Sequence, residues 1–395
     1  MVNAKRNGVL DCILQQVTSR RGGVPGVVAM VTDRDANCYE GCAGVRTLGK
    51  DEQMTTDSVF SLFSTTKAMT AVVAMQLVEE GRIALDDPAG LYAPEIDQLQ
   101  VFEDFSSDGR PRTRPPRRKI LVNDLFLHTS GLGYEFFSEG DRAYRMFNDI
   151  PSIIESRFDS IRTVLLHDPG DSWTYGVGTD WLGLIVERVR GARLGDIMRD
   201  RLFGPLGMRD IGFRPSESMI SRLTTSHDRA ADGRLVPLPG LALPDPPQMD
   251  MGGGGLYSTV GEYMKFIRMI LSEGAGSHGR VLKPETVRKM SEDGLARLGL
   301  SVGGWRTVNP SLANTGELLP GVDKGWCYMA MTNRTPAASG RSAGSFGWAG
   351  LANSYFWIDP AAGMGGYWAT QILPFLDAAS YPAFLEFEAT VYRFL

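Results

Sequence analysis

The chain is poor in the residues that announce several kinds of chemistry. Its four histidines, His128, His167, His227 and His278, are single and scattered. No His-Glu-x-x-His occurs, and a hydrolytic zinc site needs three ligands that this spacing does not offer. The four cysteines, Cys12, Cys38, Cys42 and Cys327, form no C-x-x-C pair. They read as reduced residues packed like small hydrophobes in strands and a helix, with no disulfide or metal role. No apolar run approaches the length of a membrane span. The opening "MVNAKRNGVLDCILQQ" lacks a signal-peptide core, so a cytoplasmic location is expected. A basic excess is missing too. The net charge is −5, which argues against a nucleic-acid partner.

What is present is globular. A length of 395 residues suits two lobes sharing one cleft. From Lys5 to Arg21, Leu10, Ile13, Leu14 and Val17 recur at helical spacing. "GVVAMVTDRDANCYEGCAG" then reads as a hairpin turning at Asp33–Asn37. "AMTAVVAMQLVEEG" reads as a buried helix stopped by Gly81. The stretch 106–119 holds six positive charges and three prolines, and is expected to be a solvated, mobile loop. "TDWLGLIVERVRG" places Leu182, Ile185, Val186 and Val189 on one stripe, with Gly191 as terminator. Residues 234–251 are proline-rich and irregular. Thr259-x-x-Glu262 predicts a capping box at the start of another helix. The last hundred residues alternate β-rich runs ("LGLSVGGW", "KGWCYMAMTN", "SYFWID", "GGYWATQ") with turns, then a final amphipathic helix to Leu395. One sheet drawn from both termini, with helices packed on it and a helical insert between, accounts for this order. The expected division is an α/β domain of 1–85 with 250–395, and a helical domain of 86–249.

Two serines compete for chemistry. "GRSAG" (340–344) fits the G-x-S-x-G nucleophile elbow around Ser342. That fold requires Ser, then Asp or Glu, then His in chain order, and no histidine follows Ser342. Its surroundings are loop-like, so the match is read as chance. The glycine run 252–255 lacks the Gly-Lys-Ser/Thr of a phosphate loop. His128 is read as a packed, hydrogen-bonded histidine near a helix end. Ser64 stands three residues before Lys67, and on a helix that spacing puts both side chains on one face. A lysine in a low-dielectric cleft can give up its charge and accept a proton. A serine at a helix start is equally a cap. Tyr175, in the Gly-rich "DPGDSWTYGVG", either projects its hydroxyl into a cleft as a second proton carrier or is a core tyrosine.

The ordered set of Ser64-x-x-Lys67, "LFLHTSGLGY" (125–134), "DPGDSWTYG" (168–176), "FGPLGM" (203–208) and "GWAG" (347–350) spans nearly the whole chain. It resembles the serine β-lactamase and penicillin-binding superfamily. Within it, the class C-like branch that includes family VIII carboxylesterases and fungal statin acyltransferases looks most similar. The resemblance implies a β-lactamase/transpeptidase-like α/β fold, with an antiparallel sheet flanked by helices, a mainly helical domain, and the active site at their junction. It implies that Ser64 is the nucleophile, Lys67 its base partner and Tyr175 the other proton carrier. The Ser64 and Leu351 N–H groups would form the oxyanion hole. Trp348, Ala349 and Gly350 would occupy the place of the Lys-Thr-Gly strand, and Tyr134 would line the pocket. No cofactor is implied, and the partner is a small-molecule ester rather than a nucleic acid or membrane.

Two departures redirect the substrate. Val177 stands where Tyr-x-Asn carries its amide, and Trp348 where Lys-Thr-Gly carries its cation. Replacing a cation by an indole removes a charge-assisted contact to a carboxylate and makes the wall apolar. Ester hydrolysis is therefore expected over β-lactam turnover, with acyl transfer and weak β-lactamase or D-Ala peptidase activity as alternatives. Trp173, Phe136, Phe137 and Trp357 are candidates to extend the apolar surface, or to pack in the core.

Overall fold

A computed structural model describes residues 2–239 and 244–394. The chain opens with helix α1 (Val2–Ser19), then strands β1 (Gly26–Thr32) and β2 (Asn37–Gly44) around the expected turn. Helix α2 (Thr66–Glu79) is buried all round from Thr66 to Gln76 and Leu77, as a helix apolar on every side must be. Gly81 follows it with φ 66°, the left-handed conformation a glycine tolerates. A small hairpin, β3 (Val101–Phe105) and β4 (Pro111–Arg114), precedes helices α3 (Val122–Leu127), α4 (Glu139–Phe147) and α5 (Gly178–Arg190). Helix α6 (Val260–Leu271) leads to β5 (Lys324–Trp326), β6 (Met331–Asn333), β7 (Phe346–Gly350), β8 (Ser354–Asp359) and β9 (Met364–Ala369). Helix α7 (Ser380–Arg393) closes the described chain; Leu395 lies outside it.

The main sheet has seven strands in the order β5-β6-β7-β8-β9-β1-β2. Every pairing is antiparallel, and Val28 opposes both Ala369 and Cys42. The sheet is sandwiched. On one face Tyr355, Trp357 and Trp368 meet Phe384 and Phe387 of α7. On the other, Phe356 and Tyr367 meet Tyr263 of α6. The alternation along β8 follows from the two-residue period of a strand. Both faces are covered, so β8 and β9 are buried at every position.

Several sequence expectations change. "LGLSVGGW" (298–305) forms no strand: a 3-10 turn ends at Leu298 and only Trp305 makes a bridge, to Gly316. Two adjacent glycines and no partner strand explain the difference. The capping box is half-formed. Thr259 accepts from Glu262 N at 3.2 Å, but its own N–H is taken by Asp210 O. Cys12 and Cys42 are exposed and only Cys327 is buried, so packing as small hydrophobes describes one of the four well. Part of the proline-rich stretch, 240–243, lies outside the described residues.

The basic stretch is not a free loop. It forms the β3–β4 hairpin and its return, and carboxylates hold its arginines. Arg114 grips both oxygens of Asp168 at 3.0 and 2.6 Å, and Arg117 adds its N–H and Nε, each at 2.7 Å. Arg118 binds Asp124 in the same forked way at 2.6 and 2.9 Å. Asp168 is 3% exposed and receives four donors, so Asp168→Ala is expected to lower stability by about 2–3 kcal/mol. The freed arginines are exposed enough to regain water, which keeps the cost below that of a fully buried pair. Urea unfolding at neutral pH measures it; an unchanged midpoint would show that the hairpin stands without this anchor.

Candidate active site

The chain passes from a short strand of a separate three-stranded sheet, Val59–Ser61, into α2 through a single 3-10 turn, Phe63–Thr65. Phe63 has φ 46°, a left-handed conformation costing a non-glycine residue of order 1–3 kcal/mol. The turn is pinned from three sides. Thr65 Oγ1 contacts Tyr367 of β9 at 2.9 Å, Tyr263 of α6 donates to Thr65 O at 2.8 Å, and Leu256 N donates to Thr66 Oγ1 at 3.2 Å. Ser64 is thereby held at the mouth of the cleft. It does not cap α2: the N-cap is Thr65, with no side-chain capping bond. The sequence left cap and catalyst open, and the geometry removes the cap.

Lys67 is 3% exposed and its three donors are all used. Nζ donates to Ser64 Oγ at 3.3 Å, to the Tyr134 hydroxyl at 2.8 Å and to Gly253 O at 2.6 Å. It also lies over the rings of Tyr134 and Tyr175, 5.2 and 4.8 Å from their centres. Tyr134 is closer to the chemistry than a pocket wall. Burial, its largest influence, pushes its phenol well above the usual range, so it keeps its proton and serves Lys67 as an acceptor.

Tyr175 reaches the same place from the loop before α5. Its hydroxyl accepts from Trp348 Nε1 at 2.9 Å. The indole that replaces the expected cation therefore still donates a hydrogen bond, to Tyr175 instead of to a substrate carboxylate. His128 holds the loop. Its carbonyl accepts from Thr174 N at 2.8 Å, its Nδ1 accepts from Gly176 N at 3.4 Å, and its ring lies 4.9 Å from that of Tyr175. Burial first and Lys67 second keep this imidazole well below its ordinary value, which preserves Nδ1 as an acceptor.

Strand β7 brings Trp348, Ala349 and Gly350 alongside. A Cβ at Gly350 would stand 2.4 Å from Leu62 O, so only glycine lets the strand end approach the Ser64 turn this closely. Leu351 and Ser64 both line the resulting cleft. The eight residues that the resemblance assigned to the site, Ser64, Lys67, Tyr134, Tyr175, Trp348, Ala349, Gly350 and Leu351, therefore lie together at this cleft.

The cleft opens to solvent, and the space between its walls, open solvent included, is about 750 Å³. Phe136 and Phe137, which the sequence left open between pocket and core, line it, together with Ile153, Ile154, Met251, Trp305 and Phe375, which sequence reading missed. Trp357 does not: it is fully buried between the sheet and α7. Trp173 packs behind Tyr175 and against Trp326. Ser342 is elsewhere, with its N–H on Asp359 and its carbonyl on Asn333. Among the described residues no group of three or more His, Cys, Asp or Glu side chains is placed to hold a metal.

Two further residues went unread. Gly253, in the run dismissed as a phosphate loop, supplies the carbonyl that grips Lys67. Asp180 accepts from Gly253 N at 2.7 Å and lines the cleft. Burial pushes the Asp180 carboxyl up to about 6, against the opposing pull of Lys67. A Cβ at Gly253 would stand 2.4 Å from Asp180 Oδ2, so a larger residue there would push the carboxylate out of place.

Comparison with known families decides the class. The family profile described as Beta-lactamase matches residues 11–390. The chain belongs to the beta-lactamase family. This family member is 30% identical over 386 residues to monacolin J acid methylbutanoyltransferase of Aspergillus terreus, covering 93% of this chain and 92% of that one. It is 33% identical over 286 residues to lovastatin esterase of Penicillium rubens, covering 69% and 70%. Its fold matches unliganded simvastatin synthase (LovD) from Aspergillus terreus with a TM-score of 0.85, at 26% identity over 98% of each chain. Serine hydrolase-type and acyltransferase relatives thus surround this beta-lactamase family chain, and the resemblance and fold class read from its motifs hold.

Proposed function

We propose that the chain is a serine carboxylesterase working through an acyl-enzyme on Ser64. The observation that carries this reading is the 3.3 Å contact between Lys67 Nζ and Ser64 Oγ at the mouth of an apolar cleft. Lys67 and Tyr175 relieve Ser64 of its proton as Oγ bonds to the ester carbonyl carbon. The carbonyl π pair moves to oxygen, where the N–H groups of Ser64 and Leu351 receive it. Collapse breaks the ester C–O bond and Tyr175 protonates the departing alcohol. Water then releases the acid by the reverse sequence. The partner is a small-molecule ester, with no cofactor, nucleic acid or membrane in the reaction. A cytoplasmic setting is in keeping with four free cysteines.

A second reading differs only in the last step: an alcohol, not water, takes the acyl group. Similarity over nearly the full length to a methylbutanoyltransferase favours it. The apolar walls, Phe136, Phe137 and Trp305 among them, also favour retaining an apolar acceptor.

A panel of p-nitrophenyl esters of increasing acyl length, run beside nitrocefin and with a competing alcohol, tests both. Ester turnover is expected to exceed nitrocefin turnover by about 100-fold or more, the scale of one lost charge-assisted contact together with poor fit. Equal or faster nitrocefin turnover would reject the ester reading. Formation of the alcohol's ester in preference to free acid would select the transferase.

A further inference from the structure

Asp180 occupies the third position of helix α5, counting from the N-cap Val177. An acidic side chain there ordinarily reaches back to the first N–H of its own helix. Here Oδ1 instead leaves the helix and accepts from Gly253 N at 2.7 Å. Gly253 O, on the same residue, accepts from Lys67 Nζ at 2.6 Å, and Lys67 reaches Ser64 at 3.3 Å. These links form one continuous path from Asp180 to Ser64. Oδ2 is buried without a hydrogen-bond partner.

We propose that Asp180 is a positioning residue for Lys67: it fixes the Gly253 peptide that grips the amine and places a carboxylate behind that peptide. The inference rests on the reading of Ser64 and Lys67 as the reacting pair.

The surrounding charges support it. Lys67 faces Asp180 from α2, Arg145 from α4, and Tyr134 from the loop after α3. Arg145 already carries Asp141 at 3.0 Å and Glu135 at 3.7 Å. Tyr134 keeps its proton. Lys67 is left as the nearby cation with only neutral acceptors of its own: a phenol, a carbonyl and a hydroxyl. Both side chains are buried, so water screens the attraction between them less than it would at the surface. The raised carboxyl of Asp180 is the other side of this arrangement: one hydrogen bond does not replace the water it has lost. A carboxylate near an amine favours the protonated amine, and removing it favours the free base. A weaker base also abstracts less effectively.

Asp180→Asn keeps an oxygen for Gly253 N and removes the charge. Asp180→Ala removes both. Each loses a poorly solvated buried carboxylate, so both are expected to fold, with circular dichroism as the check. Asp180→Ser serves as a third neutral variant should one fail to fold. The readout is the pH profile of kcat/KM on p-nitrophenyl butyrate from about pH 5 to 9. In Asp180→Asn the acid limb is expected to move to lower pH by about half a unit or more, with a plateau about 3–10-fold lower. Asp180→Ala is expected to shift the limb equally and to lose about tenfold or more in kcat, with KM within about twofold. A role confined to packing would not move the limb. If the Asp180→Asn profile superimposes on that of the parent enzyme while Ser64→Ala is inactive, the inference fails alone. An active Ser64→Ala would overturn the reading beneath it as well.

Discussion

Ser64→Ala is expected to lower ester turnover by about 10⁴-fold or more while leaving the fold and its thermal midpoint nearly unchanged. The substitution removes one oxygen atom, and that atom has a single hydrogen-bond partner among the described residues, Lys67 Nζ. Lys67 keeps its bonds to Tyr134 and Gly253. The backbone turn is held by Thr65 and Thr66, not by Ser64. A capping serine would behave differently: its loss typically costs about 1 kcal/mol and would show in the melting curve. Initial rates on a p-nitrophenyl ester and a thermal scan of the same variant separate the two effects. Labelling by a serine-directed phosphonate should disappear with Ser64. Ser342→Ala is the control, since Ser342 lies in the loop before β7 with no histidine against it. An active Ser64→Ala paired with a dead Ser342→Ala would reverse the assignment.

Tyr175→Phe carries the second large effect, an expected loss of about 10²–10⁴-fold in kcat, the usual scale for a general acid–base group. Two tyrosines flank Lys67, so the assignment needs a comparison. Tyr134 has the shorter contact to the amine, 2.8 Å. It is also the more deeply buried of the two, and burial holds its proton firmly in place. Tyr175 sits where the Gly-rich loop meets the cleft, with its oxygen aligned by the Trp348 N–H at 2.9 Å. Tyr134→Phe is therefore expected to cost less in kcat than Tyr175→Phe, because it removes an acceptor for Lys67 but no transferable proton. Trp348→Phe keeps the aromatic wall and removes the donor, so it should fall between them at about tenfold, one hydrogen bond's worth. Single-turnover acylation rates for the three variants give the order. Were Tyr134→Phe inactive and Tyr175→Phe within about threefold of the parent, the proton carrier would be Tyr134.

The Trp348 result illustrates what residue identity hides. In the sequence, tryptophan in place of lysine reads as a loss: no cation, hence no grip on a substrate carboxylate. In the fold, the ring sits 4.8 Å from Tyr175 and its N–H points at the phenol oxygen. The position has changed partner as well as charge. The basic stretch 106–119 hid its role in the same way, because Arg114, Arg117 and Arg118 are satisfied by Asp168 and Asp124, which lie downstream in the chain.

Local pattern alone determined α2, α5, the β1–β2 hairpin and the β-rich runs at 324–333, 354–359 and 365–371, while β7 entered only through the resemblance. Helix and strand periods are written in neighbouring residues, and Gly81 and Gly191 end their helices through their own backbone freedom. Motif order, through the family resemblance, determined the fold family and singled out Ser64, Lys67 and Tyr175, which the fold brings together. The tertiary structure alone decided that Ser64 caps nothing, that Tyr134 touches the amine, that Trp348 serves Tyr175, and that Asp180 reaches Lys67 through Gly253. The last three are contacts between segments tens to hundreds of residues apart, and Lys67 and Gly253 are separated by 186. A periodic pattern says which side of an element is buried. It does not say which distant backbone oxygen lies there to meet it, and in this site a distant backbone oxygen holds the amine.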